Sequence, residues 1–240
     1  MQVLVLAGGL GSRIWPRTAE VPKALLPVAG RPFAERQVEL LAANGVDDIV
    51  FAIAYLGDMI RSTLGDGRRW GLRLRYSDEG ANRRGTGGAV RLFAESVVAD
   101  DVFAVLYGDS YLPIDYPAVW DAFARSSLPA LMTVVENRDQ WDISNAAFGP
   151  RGRLRYRKGA GEPGGMTHID YGLSVVSRGL TVDRLPADAA SDLADFFAAL
   201  GERGELGGYE VRDRFYEIGS DDGIADLEEL LAPGLGAHRS

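Results

Sequence analysis

The residues best suited to chemistry lie near the start of the chain. Gly8, Gly9, Gly11, Ser12 and Arg13 follow an apolar run that closes at Ala7, and Pro16, Pro22 and Lys23 come next. Glycines that end a strand present successive backbone N–H groups, and such a nest cradles phosphate oxygens. Without side chains the backbone can approach the ligand closely. Arg13 adds a forked cation and Lys23 a compact point charge, a pair suited to a triphosphate. A dinucleotide fingerprint needs glycine at the sixth position counted from Gly9, and Ile14 stands there. A Walker loop needs Gly-Lys-Ser/Thr, but Lys23 follows Pro22 and precedes Ala24. A plain glycine turn accounts for Gly8 and Gly9. It leaves Arg13, the prolines and Lys23 without a reason.

Later residues carry weaker signals. Asp109 ends an apolar segment, and ligands of open α/β sheets gather at the carboxyl ends of strands. Taken alone, Asp109 reads as well as a cap on the next loop. Lys23 and Lys158 are the only lysines in an arginine-rich chain. Either chance spared them or their compact ammonium groups matter. His168 and Asp170 alternate on one strand, and His168 reads as a satisfied or solvent-facing histidine rather than a catalytic one. Tyr171 and Phe215 read as core. Arg83 and Arg84 read as a solvated turn bordering the run Gly85-Thr86-Gly87-Gly88-Ala89, within reach of a phosphate.

These groups need a frame to position them. Apolar segments at residues 2–7, 48–55, 72–76, 101–107 and 130–136 predict strands. Residues 33–44, 58–64, 87–97 and 116–126 predict helices between them, the first stopped by Gly45. Regular alternation argues for a parallel sheet with helices on both faces. After Asn137 the rhythm changes. Short strands at 145–148 and 154–156 look hairpin-like, and a glycine-rich loop at 159–165 precedes a long strand at 168–176. A helix at 191–200 takes Ser191 as its N-cap, a strand ends at 215–218, and a helix runs from Asp221 or Asp222 to Leu231.

The 240 residues suffice for one compact domain, and no repeat or linker divides them. A net charge of -8 argues against a nucleic-acid partner and requires local cations wherever an anion binds. There is no cysteine, hence no disulfide or thiolate chemistry. No leader pattern and no apolar run of membrane-spanning length stand out, so a cytoplasmic location is the expectation.

The run LAGGLGSRIWPRTAEVPKALLPVAGRP resembles the N-terminal motif of the sugar-1-phosphate nucleotidyltransferases, the NDP-sugar pyrophosphorylases. Gly85–Ala89 is similar to that family's nucleobase-side loop, and Leu106-Tyr107-Gly108-Asp109 to the strand end carrying its metal aspartate. The resemblance implies an α/β fold: a Rossmann-like, mainly parallel sheet flanked by helices, with a more antiparallel second half. It implies one domain, 1–240, with residues 1–136 binding nucleotide and 137–240 binding sugar phosphate. Nothing remains for the β-helix domain some members append. The implied reaction is transfer from a nucleoside triphosphate to a sugar 1-phosphate with magnesium as cofactor. The base stays open, and the small size leans toward heptose or hexose 1-phosphates. Ala7, Gly8, Gly9, Gly11, Ser12, Arg13, Lys23 and Gly87 would meet the nucleotide, with Arg13, Lys23 and Asp109 catalytic. Asn145, Lys158 and Gly172 would meet the sugar phosphate, and Asp109 and Glu217 the metal. Two positions depart from the pattern. Glu217 stands where most members have aspartate, and Arg157 where some have an acidic residue that holds sugar hydroxyls. A nucleotide-sugar-binding regulatory protein is the alternative, although it would be free to lose Arg13, Lys23 or Asp109. A metal-dependent glycosyltransferase would carry Asp-x-Asp, and Gly108-Asp109-Ser110-Tyr111 offers one carboxylate. Homo-oligomers are compatible with the resemblance.

Overall fold

The computed structural model describes residues 1–80, 84–137, 141, 143–159 and 165–232. Arg83 and most of the 159–165 glycine run fall outside the described residues. The first half alternates as its hydrophobic pattern requires. Strand β1 (Gln2–Leu6) leads through a two-residue hairpin, β2 (Pro27–Val28) and β3 (Arg31–Pro32), to helix α1 (Phe33–Ala43). Strand β4 (Asp48–Ile53), helix α2 (Gly57–Leu64), strand β5 (Arg73–Asp78), helix α3 (Gly85–Ser96) and strand β6 (Val102–Tyr107) follow. Strands β6, β1, β4 and β5 lie side by side in that order, all parallel.

The period-two alternation of β1 sends its residues to opposite faces. Val3 and Val5 pack with Val38 of α1 and Ile60 of α2. Leu4 packs with Val90 and Phe93 of α3.

The second half contains β7 (Ser110–Tyr111), α4 (Tyr116–Ser126), β8 (Ala130–Glu136), β9 (Ala146–Phe148), β10 (Leu154–Tyr156) and β11 (His168–Ser177). After these come α5 (Arg178–Arg184), α6 (Leu193–Arg203), β12 (Leu206–Val211), β13 (Tyr216–Glu217) and α7 (Asp221–Leu231). Here the sheet becomes mixed. Strand β11 runs antiparallel to β6, β8 and β9, so β8 does not extend the parallel block as its place in the alternation suggests. Strand β11 takes the position beside β6 and separates β8 from it.

Three further differences from the sequence pattern have local causes. Helix α6 starts at Leu193 with Asp192 as N-cap, whose side chain accepts from the Ala194 N–H at 2.9 Å. Ser191 instead bonds through its backbone to Arg84 O and Gly87 N, both at 2.9 Å. Residues Gly85–Ala89 form the start of α3 rather than a loop. Strand β12 has no sequence signal because Gly207 and Gly208 interrupt it, yet a Cβ on Gly208 would lie 2.5 Å from the Phe148 ring. Glycine lets β12 pack there.

One polar cluster is buried beneath the sheet edge. Asp48 accepts from Gln2 Nε2 at 2.6 Å, Arg73 at 2.7 Å and Arg75 at 2.8 Å. Burial alone would raise the Asp48 carboxyl, but the bonds from Arg75, Arg73 and Gln2 hold it below its ordinary value. Asp48→Ala strands the Gln2 amide and removes the carboxylate partner of Arg75 and the exposed Arg73, and should cost about 1–3 kcal/mol at pH 7. A carboxyl with a depressed folded value stabilises above its unfolded value and loses that contribution as pH falls through the folded one. Urea unfolding at pH 7 and at pH 3 should therefore show a wide gap between wild type and variant that narrows in acid. An equal gap at both values would refute the charge assignment.

Candidate active site

Strand β1 ends at Leu6, and its direction carries Ala7 to Arg13 across the carboxyl ends of the parallel strands. The Ala7 N–H still bonds Ala52 O of β4 at 2.9 Å. Beyond it the glycines are shaped by close neighbours. A Cβ on Gly8 would lie 3.0 Å from Glu79 Oε1 and 3.3 Å from Ala54 Cβ. Gly11 sits at φ 63°, and a Cβ there would come 2.7 Å from Thr18 Cγ2. That combination of left-handed backbone and contact excludes other residues. The Thr18 hydroxyl fixes the turn by donating to Gly11 O at 3.0 Å.

Arg13 lies in a short 3-10 turn, Ser12–Ile14, and Lys23 opens another, Lys23–Leu25. Both turns are anchored by apolar neighbours. Ile14, Leu26 and Val28 pack with Phe33, Ile218, Ile224 and Leu227. The cations thus rest on a small core shared with α7 and the residue after β13.

Asp109 follows β6 by one glycine. The Gly108 N–H continues the sheet to Leu6 O at 3.1 Å, and a Cβ on Gly108 would stand 2.4 Å from that oxygen. Asp109 is thereby pressed against the glycine loop, where Lys23 Nζ meets its Oδ2 at 2.6 Å. Strand β13 pairs with β7 in antiparallel register, Glu217 opposite Ser110, and the Ile218 N–H bonds Asp109 O at 3.0 Å. Glu217 and Asp109 therefore sit on adjoining strand ends. Glu217 touches solvent, but its carboxyl is crowded by protein. Lost hydration first, then the Asp109 charge, push it up to about 7, against the pull of Lys23 and Arg13.

Ala7, Gly8, Gly9, Gly11, Ser12, Arg13, Lys23 and Asp109 all line one open cleft of about 430 Å³. Thr86 of the Gly85–Ala89 run and Tyr107 of the Leu106–Asp109 run line it too, as does Glu79, which the sequence pattern did not single out. Glu79 ends β5 as Asp109 ends β6, so the same strand-end reasoning applied to the Asp78-Glu79 pair would have found it. Burial raises its carboxyl above the ordinary range. Gly87 behaves differently. It is buried behind the cleft wall, where a Cβ would lie 2.6 Å from Ser191 Oγ. Gly85 and Thr86 supply the wall there instead.

Asn145, Gly172 and Lys158 border the cleft through intermediaries. Asn145 Oδ1 accepts from the Asp170 N–H, and Asp170 Oδ1 from the Gly172 N–H, both at 2.9 Å. The Tyr107 hydroxyl donates to Asp170 Oδ2 at 3.4 Å. Burial pushes the Asp170 carboxyl up to about 6, offset in part by the Gly172 and Tyr107 bonds. Lys158 pairs with Asp192, which accepts from the Thr86 hydroxyl at 3.2 Å. His168 serves structure: its ring packs edge-on to Phe148 and lies 3.5 Å from Glu210. Tyr171 is core, as its pattern suggests.

With this geometry in view, the family model described as "Nucleotidyl transferase" matches residues 2–144, more than half of the chain. The chain belongs to this family. It is 33% identical over 124 residues to a UTP–glucose-1-phosphate uridylyltransferase of Synechocystis, covering 48% of this chain and 32% of that protein. It is 34% identical over 152 residues to an N-acetylmuramate alpha-1-phosphate uridylyltransferase of Neisseria meningitidis, covering 63% of each. The chain thus spans between a third and two thirds of the length of these relatives. Its fold matches that of HddC from Yersinia pseudotuberculosis, crystallised with GMP-PN, at a TM-score of 0.80 and 21% identity over 96% of this chain and 99% of that one. The matching fold is the mainly parallel α/β sheet flanked by helices expected from the sequence.

The raised carboxyls make the site's own contribution to stability pH-dependent. A carboxyl whose folded value exceeds its unfolded one destabilises above the folded value and is relieved as pH falls toward the unfolded one. In metal-free buffer, Glu217→Gln should raise the thermal midpoint at pH 8, and the difference should vanish near pH 4.5. A variant that is less stable at pH 8 would show that the Glu217 charge is stabilised, not strained.

Proposed function

We propose that the protein transfers a nucleotidyl group from a nucleoside triphosphate to a sugar 1-phosphate, releasing pyrophosphate. The observation that carries this reading is the convergence of the glycine loop, Arg13, Lys23 and Asp109 on one cleft. Membership of the nucleotidyl transferase family and the activities printed for the Synechocystis and Neisseria relatives support it. Residues 1–136 serve the nucleotide and 137–240 the sugar phosphate, here a hexose or heptose 1-phosphate. Among the described residues no helix is long and apolar enough to cross a membrane.

In the proposed reaction an oxygen of the sugar phosphate attacks the α-phosphorus. A new P–O bond forms, the bond to the β-phosphate oxygen breaks, and pyrophosphate leaves. A phosphate monoester is already ionised, so no general base is required, and catalysis is mainly positioning and charge stabilisation. The glycine N–H groups hold phosphate oxygens. Arg13 stabilises charge as it moves onto the leaving pyrophosphate, Lys23 sits near the α-phosphoryl group, and Lys158 binds the incoming phosphate. Two anions can meet in an acidic protein because these cations are concentrated at one point. Keeping all three of Arg13, Lys23 and Asp109 favours turnover over a purely regulatory role.

Asp109 and Glu217 offer only oxygen donors, on adjoining strand ends, which suits a hard divalent cation that takes one or two carboxylates and completes its shell with water and phosphate. Among the described residues no group of three His, Cys, Asp or Glu side chains makes a self-sufficient metal site, in keeping with an ion that arrives with the nucleotide. Bound magnesium would neutralise phosphate charge. Until then Lys23 neutralises Asp109.

Pyrophosphate release across a panel of triphosphates and sugar 1-phosphates tests the reading. Arg13→Ala and Lys23→Ala should each lower kcat by about 10²–10³ without unfolding the protein. Asp109→Asn should abolish magnesium-dependent turnover, and Glu217→Asp should keep part of it. Lys158→Ala should raise the KM for sugar 1-phosphate far more than that for the triphosphate. Arg13 and Lys23 variants within a fewfold of wild type would overturn the assignment.

A further inference from the structure

The last-named lysine is held by a carboxylate that the proposed reaction does not use. Asp192 precedes α6, and its two oxygens are engaged on opposite sides. Oδ1 accepts from Ala194 N–H at 2.9 Å, capping α6, and from the Thr86 hydroxyl at 3.2 Å. Oδ2 pairs with Lys158 Nζ. Thr86 is fixed in turn, because its hydroxyl accepts from the Leu193 N–H at 2.9 Å.

The clamp extends along the backbone. Ser191 is bonded to Arg84 O and Gly87 N, and a Cβ on Gly85 would strike Ser191 O at 2.4 Å. The start of α6 is therefore locked onto the first turn of α3, whose Gly85 and Thr86 form the nucleotide-side wall of the cleft. Lys158 comes from the segment after β10, in the other half of the chain. Its side chain is 59% exposed, so Asp192 is what restrains it. The bond to Asp192 raises the Lys158 ammonium value, and the bond from Lys158 lowers that of the Asp192 carboxyl against its partial burial.

We propose that Asp192 is a positioning residue: by gripping Thr86 with one oxygen and Lys158 with the other, it holds the sugar-phosphate lysine at a fixed distance from the nucleotide wall. The inference rests on the transfer reading and on the role given to Lys158. An ammonium has three donors. One goes to Asp192, and the others remain for a phosphate. Asparagine at position 192 still accepts the Ala194 bond, since Asn and Asp are comparable N-caps. The substitution removes the charge that holds Lys158 and leaves the helix cap in place.

The test measures KM for both substrates by pyrophosphate release, using whichever sugar 1-phosphate and triphosphate the wild-type panel selects. Asp192→Asn should raise the KM for sugar 1-phosphate by about tenfold while the triphosphate KM moves less than twofold. Asp192→Glu should recover part of the loss. Asp195→Asn, which removes a neighbouring charge not bonded to Lys158, should not reproduce it. In a Lys158→Ala background the Asp192→Asn change should add nothing, as expected for two residues acting through one bond. A fall in the sugar 1-phosphate KM would mean that Asp192 competes with substrate for the lysine, and would overturn the proposal. So would equal rises in both KM values, or full additivity with Lys158→Ala. Absence of turnover by the wild-type chain on every pair would instead overturn the transfer reading itself.

Discussion

Lys23 and Asp109 are separated by 86 residues and meet at 2.6 Å. Most of the site's architecture serves to make that meeting possible. On one side, the segment from Gly11 to Leu26 must turn back over the end of β1, and it is held down by Ile14 and Leu26 in the small apolar cluster with Ile218, Ile224 and Leu227. On the other side, Gly108 lets β6 approach the end of β1 closely enough to bond Leu6 O. A side chain at position 108 or a polar residue at 14 would separate charges whose attraction depends inversely on distance. The pair is partly shielded, with side-chain exposures of 16% and 35%, so it retains more of its strength than a pair in open water would.

Around this pair the protein collects charges of both signs in a small volume. Two carboxyls nearby are raised, Glu217 to about 7 and Asp170 to about 6, each mainly through lost hydration. The chain as a whole is acidic, with a net charge of -8. Arg13, Lys23 and Lys158 therefore work against the overall field and must be local to be effective. Lys23 and Lys158 are each held by a carboxylate, Asp109 and Asp192, while Arg13 lies exposed on its short turn.

Legibility from sequence followed the range of the interaction. The cleft-lining glycine loop could be read because its signal is consecutive: glycines, then a forked cation. Alternating strands and helices in the first half follow from periodicity, and β1, β4, β5 and β6 pair in parallel as that pattern demands. Choices set by distant contacts stayed hidden. Ser191 and Asp192 are equally good N-caps by type; Ser191 O accepts from Gly87 N–H and Ser191 N–H donates to Arg84 O, and Asp192 caps the helix. Glu217 neighbours Asp109 through two strands of two residues each, too short to carry a period. Asp192 had no signal because its meaning arises from a contact with Thr86 spanning 106 residues.

The transition from parallel to mixed sheet has a physical cause that also shapes the site. Strand β11 pairs with β6 along Leu173–Ser177 and with β8 at His168–Asp170 and again at Ser174–Val176. The register with β8 shifts between Asp170 and Ser174. Gly172 lies inside that shift with φ 105°, a conformation that side chains rarely adopt, and a Cβ there would sit 3.2 Å from Ser110 Oγ and 3.5 Å from the Tyr107 ring. The irregularity turns the backbone so that the Gly172 N–H reaches back to Asp170 Oδ1. Asp170, still paired with Val134 of β8, also accepts from the hydroxyl of Tyr107, a wall residue of the cleft. The irregularity thus falls where the second half of the chain meets the cleft, and it lets a residue of the sheet also form part of the site's border.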